Sequence, residues 1–70
     1  MGVNLDRIRA YRTLHKIRQQ GMATLIKVSV TSYCAKEQGR VDFTSKEIGI
    51  MAKSFGINPG ELFSTEHTLK

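Results

Sequence analysis

Residues 19–39, QQGMATLIKVSVTSYCAKEQG, hold two short apolar-striped runs with only Lys27-Val28-Ser29 between them. Two helices joined over three residues have to cross steeply. Steep crossing requires a small residue where the backbones touch, apolar inner faces, and a polar outer face on the second helix. Ala23 supplies the small residue, and Met22, Leu25 and Ile26 supply the apolar side of a helix predicted over residues 18–26, with Ile17 packing just before it. Ser29 is the expected N-cap of a second helix reaching residue 37 or 38. Stepping 100° per residue puts Tyr33 and Glu37 on one side of that helix and Thr31, Cys34, Ala35 and Gln38 on the other. The β-branched Val28, Val30 and Thr31 equally suit a strand, and the run is too short for periodicity to choose; the three-residue link favours helix. Gly21 inside the first of these helices costs ~1 kcal/mol relative to Ala, and the sequence offers no reason for it. That helix also starts on Arg18, without a Ser, Thr, Asp or Asn to cap it.

The flanking segments supply three more helices. Asn4 can cap a helix over residues 4–15, with Asp6 in its first turn, Leu5, Ile8 and Tyr11 at helical spacing, and Leu14 three residues further on. Residues 39–43 form a connecting loop. Thr44-Ser45-Lys46-Glu47 matches a capping box, and Ile48, Met51, Ala52 and Phe55 form the apolar stripe that follows. Gly56 stands at the usual helix-ending position. Asn58-Pro59-Gly60-Glu61 then opens a fifth helix, with Asn58 as N-cap, and Leu62 and Phe63 fold back onto the core. The expectation is an all-α, compact five-helix domain over residues 1–63, followed by a short frayed tail over residues 64–70.

Seventy residues, 40% of them hydrophobic, suffice for one small domain of modest stability. The lone Cys34 excludes an internal disulfide and a multi-cysteine zinc site, and His15 and His67 lack metal-ligand spacing with it, so no metal and no cofactor are expected. One cysteine and no signal sequence fit a reducing cytoplasm, and no apolar run approaches the ~20 residues of a membrane span. No nucleophile-base pair, paired carboxylates or glycine-rich phosphate loop is suggested by spacing, so neither catalysis nor a small-molecule substrate is expected. Met22 and Met51 read as core filler, and His15 and His67 as surface residues.

The net charge of +5 is unevenly placed. Residues 1–40 carry eight Lys and Arg against Asp6 and Glu37, a balance of +6; residues 41–70 carry three against four acids, a balance of −1. A polyanion is the natural partner of such a positive pole.

The order of helices and caps resembles the helix-turn-helix family of Cro and lambda-type phage repressors, also called the XRE family. The resemblance runs over about residues 4–63 and is carried by Ile8, Arg12, Gln19, Ala23, Val28-Ser29, Glu37, Gly39, Ala52-Lys53, Phe55-Gly56 and Glu61-Leu62-Phe63. The chain departs from the pattern at Lys27, where the family usually has a turn glycine, at Tyr33, where a branched aliphatic usually packs, at Lys36, often a buried apolar position, and at Arg18, which replaces the family's Thr or Ser cap.

The resemblance implies a sequence-specific regulator that binds double-stranded DNA as a homodimer and lays its third helix in the major groove. Carried over by position, Ser29, Val30, Thr31, Ser32 and Ala35 would face the bases. Gln19 would touch a phosphate and Arg40 would grip the DNA backbone, with Arg18, Lys27 and Lys36 as weaker candidates. Arg12 and Glu37 would form a structural ion pair. The base-facing set is poor in the Arg, Asn and Gln that read purines bidentately, so thymine methyl contacts and DNA shape carry more of the expected specificity. The alternative is a protein-interaction module on the same fold, antitoxin-like or antirepressor-like, with weak or no DNA binding.

Overall fold

Each helix of this chain ends on a residue that turns the backbone left-handed, and those four turns set the architecture. A computed structural model describes residues 2–63. It contains α1 (Leu5–Leu14), α2 (Gln19–Ile26), α3 (Val30–Glu37) and α4 (Ser45–Phe55), followed by a single 3₁₀ turn, Pro59–Leu62. The helices stop at Lys16 (φ 57°), Lys27 (φ 63°), Gly39 (φ 87°) and Gly56 (φ 76°). After each stop the next backbone N–H reaches back five residues: Ile17 to Arg12 O, Val28 to Ala23 O, Arg40 to Ala35 O and Ile57 to Ala52 O. This is the Schellman closure of a helix end. Glycine adopts the required φ freely, whereas Lys16 and Lys27 carry strain there. Both lysines in return put a positive charge beside the last carbonyls of a helix, where the helix dipole favours it.

The starts are equally well defined. Asn4 Oδ1 accepts from Arg7 N at 3.0 Å, and Ser29 Oγ accepts from Ser32 N at 3.0 Å. The capping box at α4 is complete: Thr44 Oγ1 accepts from Glu47 N and Glu47 Oε1 accepts from Thr44 N. Arg18 caps nothing with its side chain.

These helices enclose one core. It gathers Ile8 from α1, Met22, Ala23 and Ile26 from α2, Tyr33 from α3, Ile48, Met51, Ala52 and Phe55 from α4, Phe43 from the loop and Leu62 from the 3₁₀ turn. Phe55 is stacked by Tyr11 and by His15, and Phe43 meets Tyr33 edge-on. The most extensive packing is between α2 and α3, joined by residues 27–29. At the start of α2, a Cβ on Gly21 would come within 3.0 Å of Ile17 Cγ2, so the missing side chain lets Ile17 close over the helix.

The fold is all-α: among the described residues no strand forms, and the extended pairing is an isolated antiparallel bridge between Val3 and Phe63. Of the β-branched residues around Ser29, Val30 and Thr31 adopt helix, and Val28 lies in the link between α2 and α3. Two expectations are corrected. The fifth helix is one 3₁₀ turn, held by Glu61 N to Asn58 O (2.9 Å) and Phe63 N to Gly60 O (3.2 Å), with no cap from the Asn58 side chain. It stops there because Phe63 is drawn out into the bridge with Val3, while Asn4 N donates to Leu62 O at 2.8 Å. Leu14, noted three residues past the α1 stripe, does not extend that stripe into the core: it is 70% exposed, and His15 stacks on Phe55. The tail over residues 64–70 and His67 lie outside the described residues.

Candidate functional site

Glu37, the last residue of α3, joins three helices. Its carboxylate is 3% exposed and accepts four hydrogen bonds. Arg12 of α1 donates through Nε at 2.7 Å and Nη2 at 3.4 Å, Gln19 of α2 through Nε2 at 2.7 Å, and Tyr33 of α3 through its hydroxyl at 2.8 Å. Arg12 Nη1 also donates to Ile17 O, and Arg9 Nη1 donates to the Glu37 carbonyl at 2.7 Å. Arg12 and Glu37 are therefore paired, and Gln19 and Tyr33 are further partners of the carboxylate. Burial pushes the Glu37 carboxyl up, but the hydrogen bonds from Gln19, Tyr33 and Arg12, with the Arg12 charge, outweigh it and hold the carboxyl below the usual range. Burial, then the Glu37 hydrogen bond and charge, push the Tyr33 phenol well above its ordinary value against the opposing Arg12.

The network fixes how α3 sits against α2, and it takes up side chains expected elsewhere. Gln19 turns its amide inward to Glu37, so one of its two N–H donors is already engaged. Lys36 is corrected outright as a DNA contact. It is 7% exposed, donates to Asp42 O at 2.9 Å, pairs with Glu47 Oε1 at 3.1 Å and lies over the Phe43 ring. Its stem crosses the apolar layer and its ammonium ties the end of α3 to the start of α4.

What α3 shows to the outside is uncharged. Ser29, Val30 and Thr31 are exposed, Val30 by 41%; Ser32, Cys34 and Ala35 are half-buried, and Gln38 is exposed. Ala35, expected to face outward, is thus only partly so. Along the chain through α2 and α3 the charges are one-sided. No Asp or Glu occurs between Asp6 and Glu37, and Glu37 is buried. Among the described residues, Arg7, Arg9, Arg12 and Lys36 are held in ion pairs with Glu61, Asp6, Glu37 and Glu47. The exposed cations outside those pairs are Lys16, Arg18, Lys27, Arg40, Lys46 and Lys53. Four of these six lie at the ends of α2 and α3: Lys16 and Arg18 before α2, Lys27 between the helices, Arg40 after α3.

Nothing in local spacing points to the inward Lys36–Glu47 pair, the buried Phe43 or the Arg9 contact with the Glu37 carbonyl. Tyr33 and Glu37 stand four residues apart on one helix face, a spacing that did signal their meeting. Among the described residues, no cluster of His, Cys, Asp and Glu could hold a metal, and no helix is long and apolar enough to cross a membrane. The chain matches no protein-family model, no curated protein and no solved structure.

Proposed function

We propose that the chain is a sequence-specific, double-stranded DNA-binding regulator of the Cro and lambda-type repressor kind. In this reading α2, the link over residues 27–29 and α3 act as a helix-turn-helix, α3 enters the major groove, and two copies read half-sites about one helical turn, ~34 Å, apart. One observation carries the proposal: α3 has an uncharged exposed face, and the exposed cations Lys16, Arg18, Lys27 and Arg40 stand before, between and after α2 and α3, with no acid in the chain between Asp6 and Glu37. A major groove offers base edges at its floor and phosphates along both walls, and this arrangement of charge is complementary to it. The uncapped start of α2 beside Arg18 adds backbone N–H groups suited to a phosphate.

The test is selection of bound sites from random duplexes by the 70-residue chain. Palindromic half-sites one turn apart are expected, with affinity falling steeply in salt. Eight cations from two copies give a slope of log K against log salt of about −7. A salt-independent curve, or no enriched site, overturns the proposal. The exposed Val30 and the absence of charge on the exposed face of α3 favour one second reading, a protein-interaction module of the antitoxin or antirepressor kind. Thr31→Asp with Arg40→Ala separates the two. Loss of DNA binding together with regulation supports the regulator; regulation that persists while a protein partner is lost supports the module.

A further inference from the structure

Resting on the DNA-binding reading above, we infer that α3 recognises the C5-methyl groups of pyrimidines in the major groove and not the hydrogen-bonding edges of purines. Guanine is read bidentately by Arg or Lys, and adenine by Asn or Gln. The structure removes such donors from this face. Lys36, the single long cation of α3, is turned inward onto Asp42 O and Glu47. The Gln19 amide is turned inward and donates one N–H to Glu37, and Ser29 Oγ accepts from Ser32 N at the cap. Gln38 and Arg40 are exposed but lie past the C-terminal end of α3, whereas the N-terminal part of such a helix reaches the base edges.

Methyl and thiol groups remain, with short hydroxyls that cannot read a purine edge bidentately. Val30 and Cys34 stand four residues apart, as do Thr31 and Ala35, so the two pairs run side by side along the accessible face as an apolar strip. In the major groove, the matching apolar feature is the pyrimidine 5-methyl group. Charge complementarity commits the strip to a duplex. Arg18, Lys27 and Arg40 flank it, no exposed acid lies between Asp6 and Glu37, and a protein partner would have to be equally anionic on both sides of a small apolar ridge. Burying one methyl group changes affinity about fourfold. The chemistry has two sources, thymine and 5-methylcytosine, which carry the same methyl at the same place in the groove.

The experiment uses the full chain and three forms of one random duplex library: with thymine, with deoxyuridine replacing every thymine, and with deoxyuridine plus 5-methylcytosine replacing every cytosine. Sites enriched from the first form are rebuilt with deoxyuridine. A loss of about fourfold per contacted position identifies thymine as the source, and enrichment confined to the third form identifies 5-methylcytosine. In either case, Val30→Ala should bring the methyl-to-unmethylated ratio towards one while the salt slope stays unchanged. Val30 is exposed at the first position of α3, so this variant folds. Equal affinity for the methylated and unmethylated forms of a selected site overturns the inference and leaves the regulator reading standing. Absence of salt-dependent binding to any form overturns both.

Discussion

Two residues show how this small chain handles charge and strain locally. Lys27 adopts a left-handed conformation that a glycine would take without strain, yet it contributes one of the exposed cations. Lys27→Gly should therefore separate folding from binding. Relief of backbone strain should stabilise the chain by about 0.5–1 kcal/mol, a rise in melting temperature of several degrees for a domain this size. The same change should flatten the salt slope of DNA binding by about 1 for each copy bound. Calorimetry and fluorescence titration measure the two effects, and a variant that loses both stability and affinity would contradict the assignment. Glu37 gives the pH counterpart. Its folded carboxyl is held below the usual range, so the unfolded chain takes up the proton first as pH falls below about 4.3. Stability from this group is present above that pH and disappears as pH drops through the lower folded value. Glu37→Gln leaves Arg12 poorly compensated and should cost ~3–5 kcal/mol at neutral pH. The gap between wild type and variant should narrow steadily below pH 4 in thermal melts. A gap that stays constant down to pH 3 would show that the hydrogen bonds contribute nothing beyond shape.

At the level of elements, the ends of helices were far more legible than what lies between them. Asn4, Ser29, the Thr44–Glu47 box and Gly56 each act locally, within a turn of their own position, so their effect can be read directly from order along the chain. The apolar stripe of α4 was equally clear because Ile48, Met51, Ala52 and Phe55 repeat over three turns. The candidate site was legible in part. Thr31 and the flanking Arg18 and Arg40 lie exposed, but Lys36 and Gln19 turn inward because of partners 11 and 18 residues away, a separation to which local pattern is blind. The fifth helix failed for a similar reason: Pro59 opens the turn as expected, but the Asn58 side chain caps nothing and the pairing of Phe63 with Val3 decides where the chain goes. The α3–α4 junction makes this testable. Lys36→Met removes the cation beside Glu47, whose side chain is 14% exposed, and should destabilise the chain by about 3 kcal/mol in urea unfolding. Lys36→Met combined with Glu47→Gln should recover most of that loss, since two neutral groups replace a stranded charge. The double variant should keep the wild-type salt slope, because the Lys36 ammonium faces the interior; a flattened slope would return Lys36 to the surface.

Across the whole molecule, the acids and bases are sorted by what they are used for. The acids of the described residues sit near the start of α1, at the end of α3 and from Asp42 onward, and all but Asp42 pair with a cation. Arg7–Glu61 and the Val3–Phe63 bridge hold the two ends of the described chain together on one side, while the cations at the ends of α2 and α3 have no acid between them. A field of that shape acts before contact, by drawing a polyanion to one face, and it weakens with salt. The arrangement predicts a strict dependence on position. Arg18→Gln, Lys27→Gln and Arg40→Gln together should reduce the salt slope by about 3 per copy and slow association most at low ionic strength. Lys53→Gln, which removes an equal single charge from the exposed side of α4, should leave the slope unchanged. None of the four side chains is buried or paired, so the melting temperature should shift little in any of these variants. Stopped-flow association rates against a selected duplex, measured from low to physiological salt, decide the matter. If Lys53→Gln lowers the slope as much as each of the other three, the chain binds DNA by net charge alone, and the bracketed α3 face has no special place in it.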